Sequence, residues 1–149
     1  LDGTGLRAAF FDNAAFEGEP VLTRIDANVW HGDVAGRRKN PWPDANFTAR
    51  PFSVRWTGKV TPKFTEEYTF AVYFHGARLW VDGRKLLDDL DAKGKQFAEP
   101  IRLEAGKPVD IRLEFVASGA DDKAHLCWES PSQQIEHVPT ECLYPPGKP

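Results

Sequence analysis

Residues 68–74 read Tyr-Thr-Phe-Ala-Val-Tyr-Phe, with large apolar side chains at every second position from Tyr68 to Phe74. Successive side chains of a β-strand point to opposite faces, so this period of two predicts a strand with one buried face. The stretch lies within residues 63–75, the longest segment that contains neither glycine nor proline. Long helices do not fit between such closely spaced breakers. The chain is therefore expected to consist of short strands.

The same alternation recurs on both sides of this stretch. It predicts strands around Val54 and Trp56, at residues 111–115 and at residues 126–128, with Trp56 and Trp128 facing the core. The pair Asp82-Gly83 between two strand-like runs is a strong hairpin signal. Further strands are predicted at residues 6–11, 97–103 and 142–144. This spacing indicates an all-β fold, an antiparallel β-sandwich or barrel.

The length of the chain limits the number of domains, and its charge limits the class of partner. The 149 residues carry 19 basic and 22 acidic side chains, a formal net charge of −3. We expect one domain over residues 5–145, followed by a Pro-rich tail at 146–149. The slightly acidic balance argues against nucleic acid as a partner, and no apolar run is long enough for membrane insertion.

Two cysteines, Cys127 and Cys142, lie fifteen positions apart. They form either a disulfide or two small apolar core residues, and the sequence leaves both alternatives open. A disulfide would indicate a compartment outside the cytoplasm.

The chain lacks the common catalytic motifs, such as a phosphate-binding glycine loop or a nucleophile elbow. His125 is expected on the outer face of its strand because it alternates with Leu126. Nothing in the sequence pairs any of the four histidines with a base or a metal, so we interpret them as surface or structural residues. The chain is therefore predicted not to be an enzyme.

Residues 27–51 show no periodicity and are predicted to form a long loop. Within it, Pro41 and Pro43 hold Trp42 in extended backbone. This indole is either a stacking platform for a sugar ring or an apolar plug for the end of the barrel.

Several motifs in one order resemble the protective-antigen N-terminal domain family, the PA14 domain. They are LRAAFF at residues 6–11, FSVRWTG at 52–58, EYTF at 67–70, GARLWVDG at 76–83, IRLEF at 111–115 and LCW at 126–128. The resemblance implies a twisted, barrel-like β-sandwich of jelly-roll type in an extracellular or cell-surface setting. It also implies carbohydrate binding or another recognition role.

In the flocculin lectins of this family, two consecutive aspartates before a Gly-x-x-Leu strand bind calcium, and the calcium binds sugar hydroxyls. Here Phe74 and His75 occupy those positions, and neither is a good calcium ligand. The second loop of that site matches a segment containing Asp121 and Asp122. The resemblance therefore predicts a site without cofactor or metal, in which His75, Asp121 and Asp122 bind hydroxyls and Phe74 or Trp42 stacks on the ring.

The predicted function is a non-catalytic carbohydrate-recognition module of a larger glycan-active or adhesive protein. Its partners would be a polysaccharide or glycan and the other domains of the parent chain. The domain would be a monomer and would lie outside the cell, on its surface or in the periplasm. The alternative is a structural or protein-interaction domain whose lectin site has been lost.

Overall fold

The computed structural model describes residues 1–31, 33–34, 37–38, 51–73, 75–117 and 123–147. The strands, in chain order, are β1 (Leu6–Phe11), β2 (Leu22–Asp26), β3 (Trp30–His31), β4 (Asp33–Val34), β5 (Arg37–Arg38), β6 (Phe52–Val60), β7 (Glu66–Tyr73), β8 (His75–Val81), β9 (Arg84–Lys93), β10 (Gln96–Phe97), β11 (Ile101–Leu103), β12 (Val109–Ala117), β13 (Ala124–Ser130), β14 (Gln133–His137) and β15 (Leu143–Tyr144). A 3-10 turn at Thr140–Cys142 precedes the last strand. The described part of the chain contains no helix with the length and apolar character of a membrane span.

The strands form two main antiparallel sheets. The seven-stranded sheet has the order β2-β1-β6-β12-β8-β9, with β15 added beside β6. The six-stranded sheet has the order β10-β7-β13-β14, with β11 beside β7 and β3 beside β13. Strands β4 and β5 form a separate two-stranded sheet among the described residues. The predicted all-β sandwich is therefore confirmed.

The core lies between the two sheets, as the alternation predicted. Tyr68, Phe70 and Val72 of β7 are buried in one cluster with Trp56 of the opposite sheet and Trp128 of the neighbouring strand, and both indoles are fully buried. Within the six-stranded sheet, the Tyr68 and Trp128 ring centroids lie 4.8 Å apart. Burial of the apolar inner faces of both sheets supplies most of the free energy that holds a sandwich together.

The predicted hairpin at Asp82-Gly83 is confirmed. These two residues join β8 to β9, and both have positive φ, 53° at Asp82 and 76° at Gly83. Positive φ at both central positions is the requirement of the two-residue turn that matches strand twist, and Asp-Gly is among its preferred sequences.

The prediction of one continuous strand over residues 97–103 was wrong. The structure has two short strands, β10 and β11, that pair with β7 one residue out of register, at Phe97–Ala71 and Ile101–Tyr68. Pro100 lies in the gap, and its missing backbone N–H interrupts a ladder of hydrogen bonds.

Five strands had no clear sequence signal. β2 and β14 are mostly exposed, so they lack the alternation that marked the buried strands. β3, β4 and β5 lie inside the segment that was predicted to be a loop. Their positions depend on pairing, of β3 with β13 and of β4 with β5, rather than on a local pattern.

The two ends of the domain pair with each other. The backbone amides of Gly3 and Gly5 donate to the carbonyls of Glu141 and Leu143, at 2.9 and 3.0 Å. Gly58 lies beside this junction, where a Cβ atom would collide with the carbonyl oxygen of Tyr144. A side chain is therefore excluded at Gly58.

Candidate functional site

Most of the predicted site residues lie outside the described residues. These are Phe74, Asp121, Asp122 and Trp42. The structure places the backbone of His75 at the first position of β8, paired with Lys93 of β9. The proposed grouping of these five side chains stays a prediction.

The strands that flank the predicted residues end at one end of the sandwich. Tyr73, the last residue of β7, pairs with His125 near the start of β13. β8 and β12 run side by side in the other sheet, so the first residue of β8 and the last of β12 also lie at this end. The β7–β8 and β12–β13 connections therefore both cross between the sheets here. We call this part of the molecule the loop end.

A cluster of one indole and two imidazoles lies at the loop end. His125 Nδ1 and His137 Nε2 share a hydrogen bond of 2.9 Å. The Trp30 ring stacks on His137, with ring centroids 3.9 Å apart and planes 5° from parallel, and lies 5.9 Å from His125. Strand pairing brings the three together, because β3 and β14 both pair with β13 along the edge opposite β7. The register places Trp30 beside His125, and His137 beside Cys127 two residues further along the same face. We call Trp30, His125 and His137 the imidazole cluster.

The prediction for the histidines was therefore incomplete. His125 does lie on the outer face of β13, but only 3% of it is exposed because Trp30 and His137 cover it. The contact between His125 and His137 could have been predicted from a hairpin turn at Pro131 and Ser132, because this turn makes β14 run antiparallel beside β13. The pairing with Trp30 had no local signal.

Burial keeps the cluster neutral. Burial, the largest cause, and electrostatic interaction with His137, His31 and Lys123 together lower the pKa of His125 to about 4. Burial also lowers the pKa of His137. A neutral imidazole carries one donor and one acceptor nitrogen, which is the capacity that recognition of a hydroxyl requires.

A second buried polar group, the carboxylate of Asp26, lies beside this cluster and makes its hydrogen bonds to other residues of the fold. Asp26 Oδ2 accepts a hydrogen bond from Trp56 Nε1 at 2.9 Å and lies 3.0 Å from His31 Nε2. Arg24 Nε donates to Oδ1 at 2.7 Å. Burial raises the pKa of Asp26, but the hydrogen bonds and charges of these three neighbours outweigh it, and the net pKa is lowered. The ionised carboxylate connects β2, β3 and β6 and is structural.

Both cysteines are free, buried thiols, and burial raises the pKa of each to about 11. Of the two alternatives from the sequence, the disulfide is absent: Cys142 is a core residue, as predicted, whereas Cys127 is buried on the outer face of the six-stranded sheet. A thiol with such a pKa is a poor nucleophile at neutral pH.

The donor chemistry at the family's calcium position does not fit calcium. The Phe74 side chain offers no ligand atom, and the imidazole of His75 is a poor ligand for a hard cation. Within the residues that the structure describes, no group of three or more His, Cys, Asp or Glu side chains is arranged to hold a metal ion. We therefore propose no role for calcium in ligand binding at this end.

These features define a β-sandwich domain with a candidate ligand-binding end. The chain belongs to the PA14 domain family, because the family profile described as "PA14 domain" matches residues 2–141. The resemblance that the sequence motifs indicated is confirmed.

Two relatives of the chain extend this finding. The chain is 39% identical to the anti-sigma-I factor RsgI3 of Acetivibrio thermocellus over 149 residues, which is 99% of this chain and 22% of that protein. It is 37% identical to a solved anti-sigma factor domain-containing protein from Clostridium clariflavum, with a TM-score of 0.79, over 97% of this chain and 48% of that one. The chain thus spans about a fifth and about half of these two relatives.

A more distant structure shares the fold alone. The PA14 sugar-binding domain from an RTX adhesin superposes with a TM-score of 0.72 at 13% identity, over 97% of this chain and 99% of that one.

Proposed function

We propose that this domain is a non-catalytic carbohydrate-recognition module of a larger protein and that it binds glycan at the loop end without a metal. The observation that carries this proposal is the imidazole cluster at the base of the two connections that cross between the sheets. Within it, the half-buried Trp30 ring and the half-buried His137 imidazole lie beside the segments that hold the predicted site residues, while His125 is covered by both. Stacking surfaces and convergent polar groups are what a sugar site needs.

Each predicted residue has a role in this proposal. The carboxylates of Asp121 and Asp122 accept hydrogen bonds from sugar hydroxyls, and His75 either donates or accepts. Phe74 or Trp42 packs against the apolar face of the ring. The RTX adhesin domain, which is described as sugar-binding, has the same fold as this chain, and this supports the proposal.

We place the module in a protein that acts outside the cytoplasm, on or beyond the cell surface. A binding site for large glycans has its ligands there, and the family resemblance implies the same setting. The buried, unpaired thiols do not require an oxidising compartment, and they do not conflict with one.

A second candidate, a protein-interaction domain, is favoured by one observation. In the part of the chain that the structure describes, β2 is one of the two edge strands of the seven-stranded sheet. It exposes Leu22 and Ile25, and Val21 just before it is 51% exposed. Exposed apolar side chains at a sheet edge are typical of a surface that packs against a neighbouring domain.

A glycan array tests the first proposal. The 149-residue chain is applied in calcium buffer and again with chelator, and we expect the same glycans to be retained in both. His75→Ala and Asp122→Ala should each weaken retention, while Asp88→Ala should not, because Asp88 is an exposed residue of β9 paired with Lys85.

Three results would count against the proposal. Loss of binding in chelator would show that a metal is needed. Retention unchanged in both site variants would remove the residue assignments. Absence of binding to any glycan, together with self-association that Ile25→Asp abolishes, would favour the protein-interaction domain.

A further inference from the structure

The outer face of the six-stranded sheet carries aromatic side chains that the core does not use. Side chains of β7 alternate, so Tyr73 and Ala71 point away from the buried Tyr68, Phe70 and Val72. The strand register then sets two rows across this face. They are Tyr73, His125 and Trp30, and beside them Phe97, Ala71, Cys127 and His137.

The rings in these rows are open to solvent to different degrees. Phe97 is 52% exposed, and Tyr73 and Trp30 are half-buried. The ammonium of Lys95 lies over two of the rings, 5.2 Å from the centre of Tyr73 and 5.1 Å from that of Phe97. We call Tyr73, Phe97, Trp30 and Lys95 the aromatic platform.

The residues between the rings of the platform are small. Ala71 and Cys127 lie there and are almost fully covered. The rings therefore lie along an open sheet face rather than around an enclosed pocket, and such a face can contact several consecutive sugar units of an extended chain.

A polar groove continues the same face toward the start of β7. Glu67, Thr69 and Glu129 line it together with Ser130 and Pro131, and its volume is about 250 Å³. Thr69 and Glu129 pair directly across the strands. From Tyr73 to Glu67 the strand covers about 20 Å, at about 3.3 Å per residue. Rings at one end and hydrogen-bond acceptors at the other therefore lie along one line.

We infer that the glycan contact extends from the loop end across the aromatic platform and that the occupant is an internal segment of an extended, neutral polysaccharide. This rests on the proposed function. The charges on this face are of both signs, Lys95 against Glu67 and Glu129, so they favour neither an anionic nor a cationic chain. The sugar rings stack on Phe97 and Tyr73, and the carboxylates accept hydrogen bonds from hydroxyls.

Chain length separates this inference from the proposed function. Calorimetric titrations use the 149-residue chain with neutral β-1,4-linked gluco-, xylo- and manno-oligosaccharides, each as a disaccharide and a hexasaccharide. We expect the affinity for the bound series to rise clearly from disaccharide to hexasaccharide, because only the longer chain reaches the platform.

Phe97→Ala should lower the hexasaccharide affinity about five- to tenfold and leave the disaccharide affinity unchanged. Tyr73→Ala is a second variant in case Tyr73 carries more of the stacking. Ile25→Ala is the matched control, since Ile25 is as exposed as Phe97 but lies on β2 of the other sheet. It should bind like the unmodified chain.

Four outcomes distinguish a failure of this inference from a failure of the proposed function. Equal affinity for short and long chains, or full hexasaccharide affinity in both platform variants, overturns this inference and leaves the loop-end site intact. Binding of charged glycans in place of the neutral series overturns the neutral assignment. Binding of no saccharide at all overturns the proposed function as well.

Discussion

The outer faces of the two sheets are built in different ways. On the seven-stranded sheet, Glu114 lies between Arg55 and Arg78 in adjacent strands, with Nε–Oε distances of 2.8 and 3.1 Å. Only 3% of Glu114 is exposed. On the six-stranded sheet, the corresponding surface carries the rings of the aromatic platform. The first face is dominated by paired charges, with Trp80 beside them and its ring centre 4.1 Å from the Arg112 guanidinium. The second face is dominated by rings, with the Lys95 ammonium over Tyr73 and Phe97.

The largest effect is expected from breaking the charged face. Glu114→Ala leaves Arg55 and Arg78 partly buried without their carboxylate, which should cost about 2–3 kcal/mol of unfolding free energy. The figure is below that of a fully buried pair because both arginines keep some contact with water. Urea denaturation measures it.

The matched control is Asp110→Ala, which breaks the exposed Lys59–Asp110 pair on the same sheet. Exposed pairs contribute little, so this variant should lose less than about 1 kcal/mol. Equal losses in the two variants would show that the Glu114 ladder does not stabilise the fold more than an ordinary surface pair.

A smaller effect is expected from acid, and it arises at the other sheet. His125 has a pKa of about 4 in the folded chain and about 6.5 when unfolded. Between these values the unfolded state binds the extra proton, so the unfolding free energy falls as the pH is lowered from about 6.5 to 4. We expect a loss of about 1–2 kcal/mol over this window.

His125→Gln should flatten that pH dependence, as measured by denaturation at several pH values. The groups that interact electrostatically with the His125 ring are His137, His31 and Lys123. Asp26 has a lowered pKa, so its contribution is lost only below its ordinary value of 3.8 and does not overlap the window. An unchanged slope in His125→Gln would assign the acid sensitivity to other groups.

The smallest effect is expected on the platform. Phe97 is half exposed on a sheet face, so Phe97→Ala should change the unfolding free energy by no more than about 0.5 kcal/mol. Differential scanning calorimetry checks this. A large loss would mean that Phe97 contributes to folding like the core rings, and the contrast between the two faces would be weaker.

Buried strands were predictable because their pattern is local. The alternation at residues 68–74, the Asp82-Gly83 turn and the core positions of Trp56 and Trp128 all follow from the chemistry of neighbouring residues. The family resemblance came from the same buried motifs. Polar strands such as β14 had no such pattern and were missed.

The candidate site was harder to predict from the sequence, because contacts between strands that are distant in the chain create it. Trp30 lies over His125 because β3 pairs with β13, about ninety-five positions further along the chain. Asp26 is buried and ionised only because Arg24, His31 and Trp56 converge on it. No spacing in the sequence indicates either arrangement.

The sequence by itself thus determined an antiparallel sandwich, its core and its family, since side-chain period and turn chemistry act within a few residues. Only the tertiary structure decided that Arg55, Arg78 and Glu114 meet on one outer face and that Trp30, Tyr73 and Phe97 lie on the other. That choice depends on cross-strand register, which pairs residues through the whole sheet and sets the burial, the pKa and the partners of each side chain.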